Sequence, residues 1–217
     1  MKNNNEQIEK KIIINQYRSL IRNLNPNINS QEKKRIRAAF NLAIKAHSDT
    51  RRKSGDLFIT HPISVAKIVA RDIGLGSTSI ICSLLHDVVE DTEINSIDIK
   101  DQFGEQVQLI IDGLTKISGV VDAEISLQAE NFRKMILTIS NDIRVVLIKI
   151  ADRLDNMRSL DYLTLKNQQK IASETLYLYA PLAHRLGLYS IKTELEDLSL
   201  KYTDPDIYFD ISKKLNE

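Results

Sequence analysis

Cysteine is almost missing from this chain of 217 residues: the single Cys82 has no partner for an internal bridge, so no disulfide framework holds the fold. One thiol inside the apolar run Ile80-Ile81-Cys82-Ser83-Leu84-Leu85 reads as a small buried hydrophobe and fits a reducing, cytoplasmic compartment. No apolar run approaches the ~20 residues that cross a bilayer, which argues against a membrane partner. The start, Met1-Lys2-Asn3-Asn4-Asn5, has no apolar centre of a secretory signal. Charge of one sign is scarce as well. With 30 Lys and Arg against 29 Asp and Glu the net charge is +1, which gives no basis for binding nucleic acid. What is there, 42% hydrophobic and 27% charged residues, is the composition of an ordinary globular protein.

The dominant period is helical, and no alternating strand pattern, internal repeat or low-complexity linker interrupts it. Ile13, Tyr17, Leu20, Ile21 and Leu24 share one face of a first helix, ended by Asn25-Pro26-Asn27. Asn29 or Ser30 caps a second, with Ile36, Phe40, Ala43, Ile44 and His47 on its apolar face. A basic loop at Arg51-Arg52-Lys53-Ser54-Gly55-Asp56 precedes a helix that Pro62 opens as its first residue. Gly74 and Gly76 separate that helix from the one carrying His86. Further helices follow: a short one from Ser96 to Gln102, one with Val107, Ile110, Ile111 and Leu114, and one with Ile125, Ala129, Phe132, Ile136 and Ile139. Residues 143 to 150 are β-branched enough for a strand, but Ala151, Leu154, Met157 and Leu160 continue at helical spacing, giving one helix over about 142 to 163. Pro181 bends the next, and Ile191, Leu195 and Leu198 line another that stops near Asp204-Pro205. The pattern predicts an all-α fold of about ten helices in a single compact domain.

Two acidic segments sit where burial is expected. His86-Asp87-Val88-Val89-Glu90-Asp91 closes one apolar run, and Ala151-Asp152-Arg153-Leu154-Asp155-Asn156 closes another. A carboxylate in such surroundings costs on the order of several kcal/mol unless something positive pairs with it. A shared cation answers both. His86 and Asp87 are about 100° apart on a helix and reach one ion lying between their directions. Glu90 and Asp91 stand one turn further along, and Asp152 approaches from another helix. A fourth ligand comes from the remaining histidines. His61, fixed before Pro62 at a helix start, can project into a cleft but by itself reads more readily as a polar loop residue, and His47 and His184 read as core histidines. Two imidazoles with two carboxylates suit Mn²⁺, Fe²⁺ or Zn²⁺ and leave positions open for water and a substrate oxygen.

The ordered set of His61, His86-Asp87 and Asp152 resembles the metal signature of HD-domain phosphohydrolases. The flanking text is more specific. Arg52-Lys53-Ser54-Gly55 before Phe58-Ile59-Thr60-His61-Pro62, Leu84-Leu85-His86-Asp87-Val88-Val89-Glu90-Asp91-Thr92, Asp112-Gly113-Leu114-Thr115-Lys116 and Tyr179-Ala180-Pro181-Leu182-Ala183-His184-Arg185 look like the hydrolase domain of Rel/SpoT-type alarmone enzymes. The likeness runs from about residue 35 to 205.

That resemblance implies an HD-type helical bundle that hydrolyses the 3′-pyrophosphate of the guanosine tetra- or pentaphosphate alarmone (ppGpp or pppGpp). The products are GDP or GTP and pyrophosphate, with one Mn²⁺ as cofactor. It implies His61, His86, Asp87 and Asp152 as metal ligands and Glu90 and Asp91 as the catalytic acids. Arg52, Lys53, Ser54, Asn156 and Ser159 become substrate contacts. Where the family often has His and Thr, this chain has Asp155 and Ser159. Asp155 adds negative charge near a polyanion, and Ser159 keeps a hydroxyl. The implied organisation is an N-terminal helix over 1–30, a hydrolase domain over 31–203, and at 204–217 the start of a linker helix toward an attached synthetase. The alternatives are a non-catalytic alarmone-sensing module that regulates such a synthetase, or an HD phosphohydrolase for another nucleotide.

Overall fold

Residues 2–118 and 142–216 are described by this computed structural model, and among them the chain is helical, with no strand beyond one bridge between Arg51 and Leu57. The expected helix over Ile125 to Ile139 lies outside the described residues. Contacts group the chain into two units, Met1–Ala151 and Asp152–Glu217, divided inside an unbroken helix.

The first unit begins with α1 (Lys2–Arg22), whose Leu20 is buried and which packs on α3 (Thr60–Lys67), with Lys67 donating a hydrogen bond to Gln16. α2 (Ser30–Ala46) starts at Asn29, whose side chain accepts the amides of Gln31 and Glu32 while Glu32 accepts the amide of Asn29. This reciprocal pairing satisfies donors that a helix start leaves free. Ser77 also donates to Glu32, at 2.5 Å, tying the start of α4 (Ser77–Leu85) to the start of α2. The face Ile36, Ala39, Phe40 and Ala43 packs α2 on α4. α4 is deeply placed: Ile80, Ile81, Cys82 and Leu85 are fully buried. Cys82 is a core residue, its thiol pushed well up by burial.

Two expectations need correction here. α3 begins at Thr60, so Pro62 stands third in the helix rather than first. The missing amide still falls among donors without an intrahelical partner, so the position costs little. The helix carrying His86 does not run on to Asp91: α4 ends at Leu85, and α5 (Val88–Asp91) is a separate short turn. Asp87, at φ −98° and ψ −7°, opens the coil between them.

α6 (Ser96–Phe103) and α7 (Glu105–Ser118) pack against each other, with Gly104 at φ +89° making the corner between them, a conformation that side chains other than glycine rarely adopt. The stretch with strand-like composition is helical, α8 (Ile143–Arg158), begun by Asp142, whose carboxylate accepts the amide of Arg144 at 2.9 Å. Gly113 on α7 lets α8 approach closely: a Cβ there would lie 2.9 Å from Val145 Cγ2.

The second unit holds the last residues of α8, a 3₁₀ turn (Leu160–Tyr162), α9 (Leu165–Glu174), a π turn (Thr175–Tyr179), α10 (Ala180–Arg185), α11 (Tyr189–Thr203) and α12 (Pro205–Asn216). The π turn comes just before Pro181 and absorbs the missing donor, so the expected bend takes the form of a local widening. Arg153 is nearly buried, bonded to Glu174 at 2.9 Å and stacked 4.2 Å over the Tyr179 ring. On α11 the buried face is Ile191, Leu195, Ser199 and Tyr202, with Leu198 only half-buried.

Candidate metal centre

His61 enters near the start of α3, held because its amide bonds to the Phe58 carbonyl at 3.0 Å and its side chain is buried. His86 follows the last residue of α4 and is 1% exposed. Its Nδ1 lies 2.9 Å from the Ser83 carbonyl, which makes Nδ1 the protonated nitrogen and leaves Nε2 as the electron-pair donor. The two rings meet edge to face at 5.1 Å. Asp87 stands against both, with one oxygen 3.2 Å from His86 Nε2 and the other 3.8 Å from His61 Nε2. Asp152, on the continuous α8, offers a carboxylate oxygen; ligand atoms of His61, His86 and Asp152 all lie within 4.8 Å of one another. Asn156, one turn later, donates to Asp152 Oδ1 at 2.7 Å and so fixes that carboxylate.

Two imidazoles and a carboxylate gathered in a largely buried place, with the Asp87 carboxylate beside the imidazoles, form a donor set that fits a divalent cation. Three of the four sequence-predicted ligands are thus gathered as one group, and Asp87 lies beside two of them. Glu90 and Asp91 follow on α5 and reach the surface. The Asp91 carboxyl is raised above its ordinary value, first by partial burial and then by the Asp87 carboxylate; His47, His86 and Lys149 pull it the other way.

The basic loop is a shaped turn. Arg52 N–H donates to the Asp56 carbonyl and Gly55 N–H to the Arg52 carbonyl, each at 2.9 Å, with Gly55 at φ +88°. The Ser54 hydroxyl donates to Asp56 at 2.7 Å, and Arg51 is paired with Glu9 of α1 at 2.8 Å. Lys53 is exposed and Arg52 half-buried. Ser159 turns its hydroxyl back on the α8 carbonyls of Asp155 and Asn156, and Asp155 itself is buried.

A family model described as HD domain matches residues 39–189. The chain belongs to the HD-domain family. This HD domain is 48% identical over 171 residues to a Synechocystis protein named probable guanosine-3′,5′-bis(diphosphate) 3′-pyrophosphohydrolase, covering 78% of this chain and 22% of that one. It is 45% identical over 176 residues to the Escherichia coli bifunctional (p)ppGpp synthase/hydrolase SpoT, covering 81% and 25%. It is also 43% identical over 198 residues to a Streptomyces coelicolor protein named GTP pyrophosphokinase, covering 91% and 23%. The chain therefore spans about a quarter of the length of these relatives. A solved structure of a metazoan orthologue of SpoT shares the fold, with a TM-score of 0.57 and 24% identity, over 76% of this chain and 93% of that one.

Two residues of the HD domain that bear on this place were not singled out for it from sequence. Lys149, 8% exposed and one turn before Asp152, was hidden in the run Val145 to Ala151; a lysine among six apolar neighbours was its signal. His47, expected to be a hydrogen-bonded core histidine, is buried but its Nδ1 has no hydrogen-bond partner among the described residues. His184, expected in the core, is exposed and edges onto Tyr189.

Proposed function

We propose that this chain hydrolyses the 3′-pyrophosphate of a guanosine tetra- or pentaphosphate, releasing pyrophosphate and GDP or GTP. The observation that carries this reading is the convergence of His61, His86 and Asp152, with Asp87 alongside, next to an acid whose carboxyl is already raised. The names of relatives 45 to 48% identical support the choice of substrate.

His61, His86, Asp87 and Asp152 are the residues that would hold one divalent cation, with Mn²⁺ the assignment we propose. A divalent ion held by these four residues would supply polarisation of a phosphoryl oxygen and a lowered pKa for a bound water. Asn156 holds the Asp152 carboxylate in orientation, and the Ser83 carbonyl does the same for the His86 imidazole.

Glu90 and Asp91 handle the protons. One accepts a proton from water attacking the phosphorus bonded to the ribose 3′-oxygen, and a proton is returned to that oxygen as it departs. A raised carboxyl brings Asp91 closer to a working pH, where proton exchange is effective. Arg52 and Lys53 meet the nucleotide from the internally hydrogen-bonded loop, the guanidinium suiting planar groups and phosphate and the ammonium supplying compact charge. Ser54 sets the shape of that loop through Asp56, and Ser159 stands near the ribose side of α8. We place the reaction in residues 31–203 and, in a full-length cytoplasmic protein, beside a synthetase region.

The test is incubation of the purified chain with ppGpp and Mn²⁺ in ¹⁸O-labelled water. Attack at the 3′-phosphorus puts one label in pyrophosphate and leaves GDP unlabelled. Inorganic phosphate with a 3′-monophosphate product, or tight binding with no product, would remove this reading; the latter outcome would support the sensing module.

A further inference from the structure

The basic loop is cross-bonded within itself. Arg51 and Leu57 form an antiparallel bridge at its neck, and the Phe58 amide donates to the Thr50 carbonyl at 3.2 Å. Beyond the neck, Arg52 bonds to Asp56 and Gly55 through the backbone, and the Ser54 hydroxyl donates to the Asp56 carboxylate. A segment joined in this way keeps its residues in fixed relation, so whatever directs Arg51 also directs Arg52 and Lys53. Arg51, Lys53, Gly55 and Asp56 are all exposed, so the body of the fold does not enclose the loop.

What meets Arg51 comes from far along the chain. Its Nη2 donates to Glu9 Oε1 at 2.8 Å, an ion pair between the loop and the first half of α1. The second half of α1 is seated on its neighbours. Leu20 is fully buried, the Tyr17 ring stacks on Phe40 of α2 at 4.3 Å, and the Arg37 guanidinium lies 4.6 Å over Tyr17. Lys67, on the helix that carries His61, donates to Gln16. Glu9 and Gln16 stand two turns apart on one face of α1. One helix thus connects α3, through Gln16, with the loop, through Glu9. Ile8 and Ile12, on either side of Glu9, are exposed, so little apolar burial holds this end of the helix. The pair is itself partly exposed, and such pairs add little to stability. Its effect is on direction.

We propose that Glu9 is a positioning residue for the substrate: through Arg51 it sets the direction of the loop that presents Arg52 and Lys53 to the nucleotide. Glu9 does not touch the nucleotide. A carboxylate close to the binding place of a polyanion is otherwise unfavourable, and pairing with Arg51 offsets that. The inference rests on the reading of Arg52 and Lys53 as nucleotide contacts.

The sign of the effect tests it. Glu9→Gln in the full chain should raise KM for ppGpp about three- to fivefold, the upper range for a partly exposed ion pair, with kcat within about twofold. Glu9→Lys sets a like charge beside Arg51 and should raise KM about tenfold. As a surface charge alone, Glu9 would act the other way: removing or reversing it would favour a polyanion and lower KM. Glu9→Asp keeps the carboxylate and should hold KM within about twofold of the native chain, and in the Arg51→Gln background Glu9→Gln should change KM by less than about 1.5-fold. Limited trypsin digestion reads the loop without turnover, because Arg51, Arg52 and Lys53 are all cleavage points. Glu9→Gln should speed cleavage there about threefold, with the melting temperature within about 1 °C of the native chain. If ppGpp is neither bound nor hydrolysed while loop cleavage quickens, the function reading fails and the link from Glu9 to the loop stands. A KM that falls or stays unchanged in Glu9→Gln, or loop cleavage at the native rate, overturns the proposal.

Discussion

Replacing Gly113 by alanine probes how the centre is held together without touching any residue in it. The new methyl would sit 2.9 Å from Cγ2 and 3.4 Å from Cγ1 of Val145, whose side chain is 2% exposed. Valine is stiff at χ1, so it cannot easily swing away, and α7 and α8 must part by about 0.5 Å. Alanine in a helix interior gains about 1 kcal/mol over glycine, whereas overpacking of this kind costs about 1–3 kcal/mol. The net expectation is a loss of about 1 kcal/mol, or roughly 2–4 °C in melting temperature for a chain of this size. Val145→Ala alone removes buried methyl groups and costs about 2 kcal/mol. The double variant relieves the clash and fills part of the gap, so it should be more stable than the sum of the singles by about 1–2 kcal/mol. Val145 lies two turns before Asp152, so a shift of α8 carries that carboxylate away from His61 and His86. Mn²⁺ affinity should therefore drop about threefold in Gly113→Ala and recover in the double variant. Urea denaturation and a metal titration read both effects. Additive stabilities, or a Gly113→Ala chain that is stabilised and binds metal normally, would refute the reasoning.

Other perturbations separate orientation, capping and buried charge. Asn156→Leu removes the hydrogen bond to Asp152 while leaving the ligand set whole, so metal affinity should fall about 10- to 100-fold with the helical circular dichroism unchanged. Asp142→Ala takes away the cap of α8 and should cost about 1 kcal/mol in denaturant titration. The Asp142 carboxyl is lowered, first by its hydrogen bonds from the Arg144 side chain. Its contribution is therefore complete above the unfolded-state value near 3.8 and is lost as pH falls through the folded one, so the Asp142→Ala difference should shrink only below about pH 4. Glu174→Gln strands the nearly buried Arg153, whose pKa burial lowers but Tyr179 and Glu174 raise to a net upward shift, and should cost on the order of 3 kcal/mol in thermal or urea unfolding.

The helices with a strong apolar period were legible in the sequence alone: α2, α4, α7 and α8 carry the burial that their spacing implies. The proposed ligand set came from carboxylates inside apolar runs together with the family resemblance, and the structure brings His61, His86 and Asp152 of that set together. The break between α4 and α5 was not legible. Nothing in Leu85-His86-Asp87-Val88 disfavours a helix, and the opening at Asp87 is a backbone choice made beside two imidazoles. The π turn before Pro181 escaped for a related reason, since proline announces a disturbance but not how the preceding turn absorbs it. Asn156 was read as a substrate contact from resemblance alone, and only geometry shows its amide on Asp152. His47 looked like core because it is core; its unpartnered nitrogen is a fact of packing that spacing does not carry. Lys149 had a signal in the sequence, one charge in an apolar run, that was masked by its neighbours.

We propose that His61, His86, Asp87 and Asp152 act as one divalent-cation centre. An electron paramagnetic resonance titration with Mn²⁺ tests it most directly, using the native chain beside His86→Ala and Asp152→Ala. The native chain should show one saturable site, and each variant should lose it, by at least 100-fold in affinity, while the helical fold persists. Saturable binding that survives both substitutions would place the ion elsewhere and contradict it.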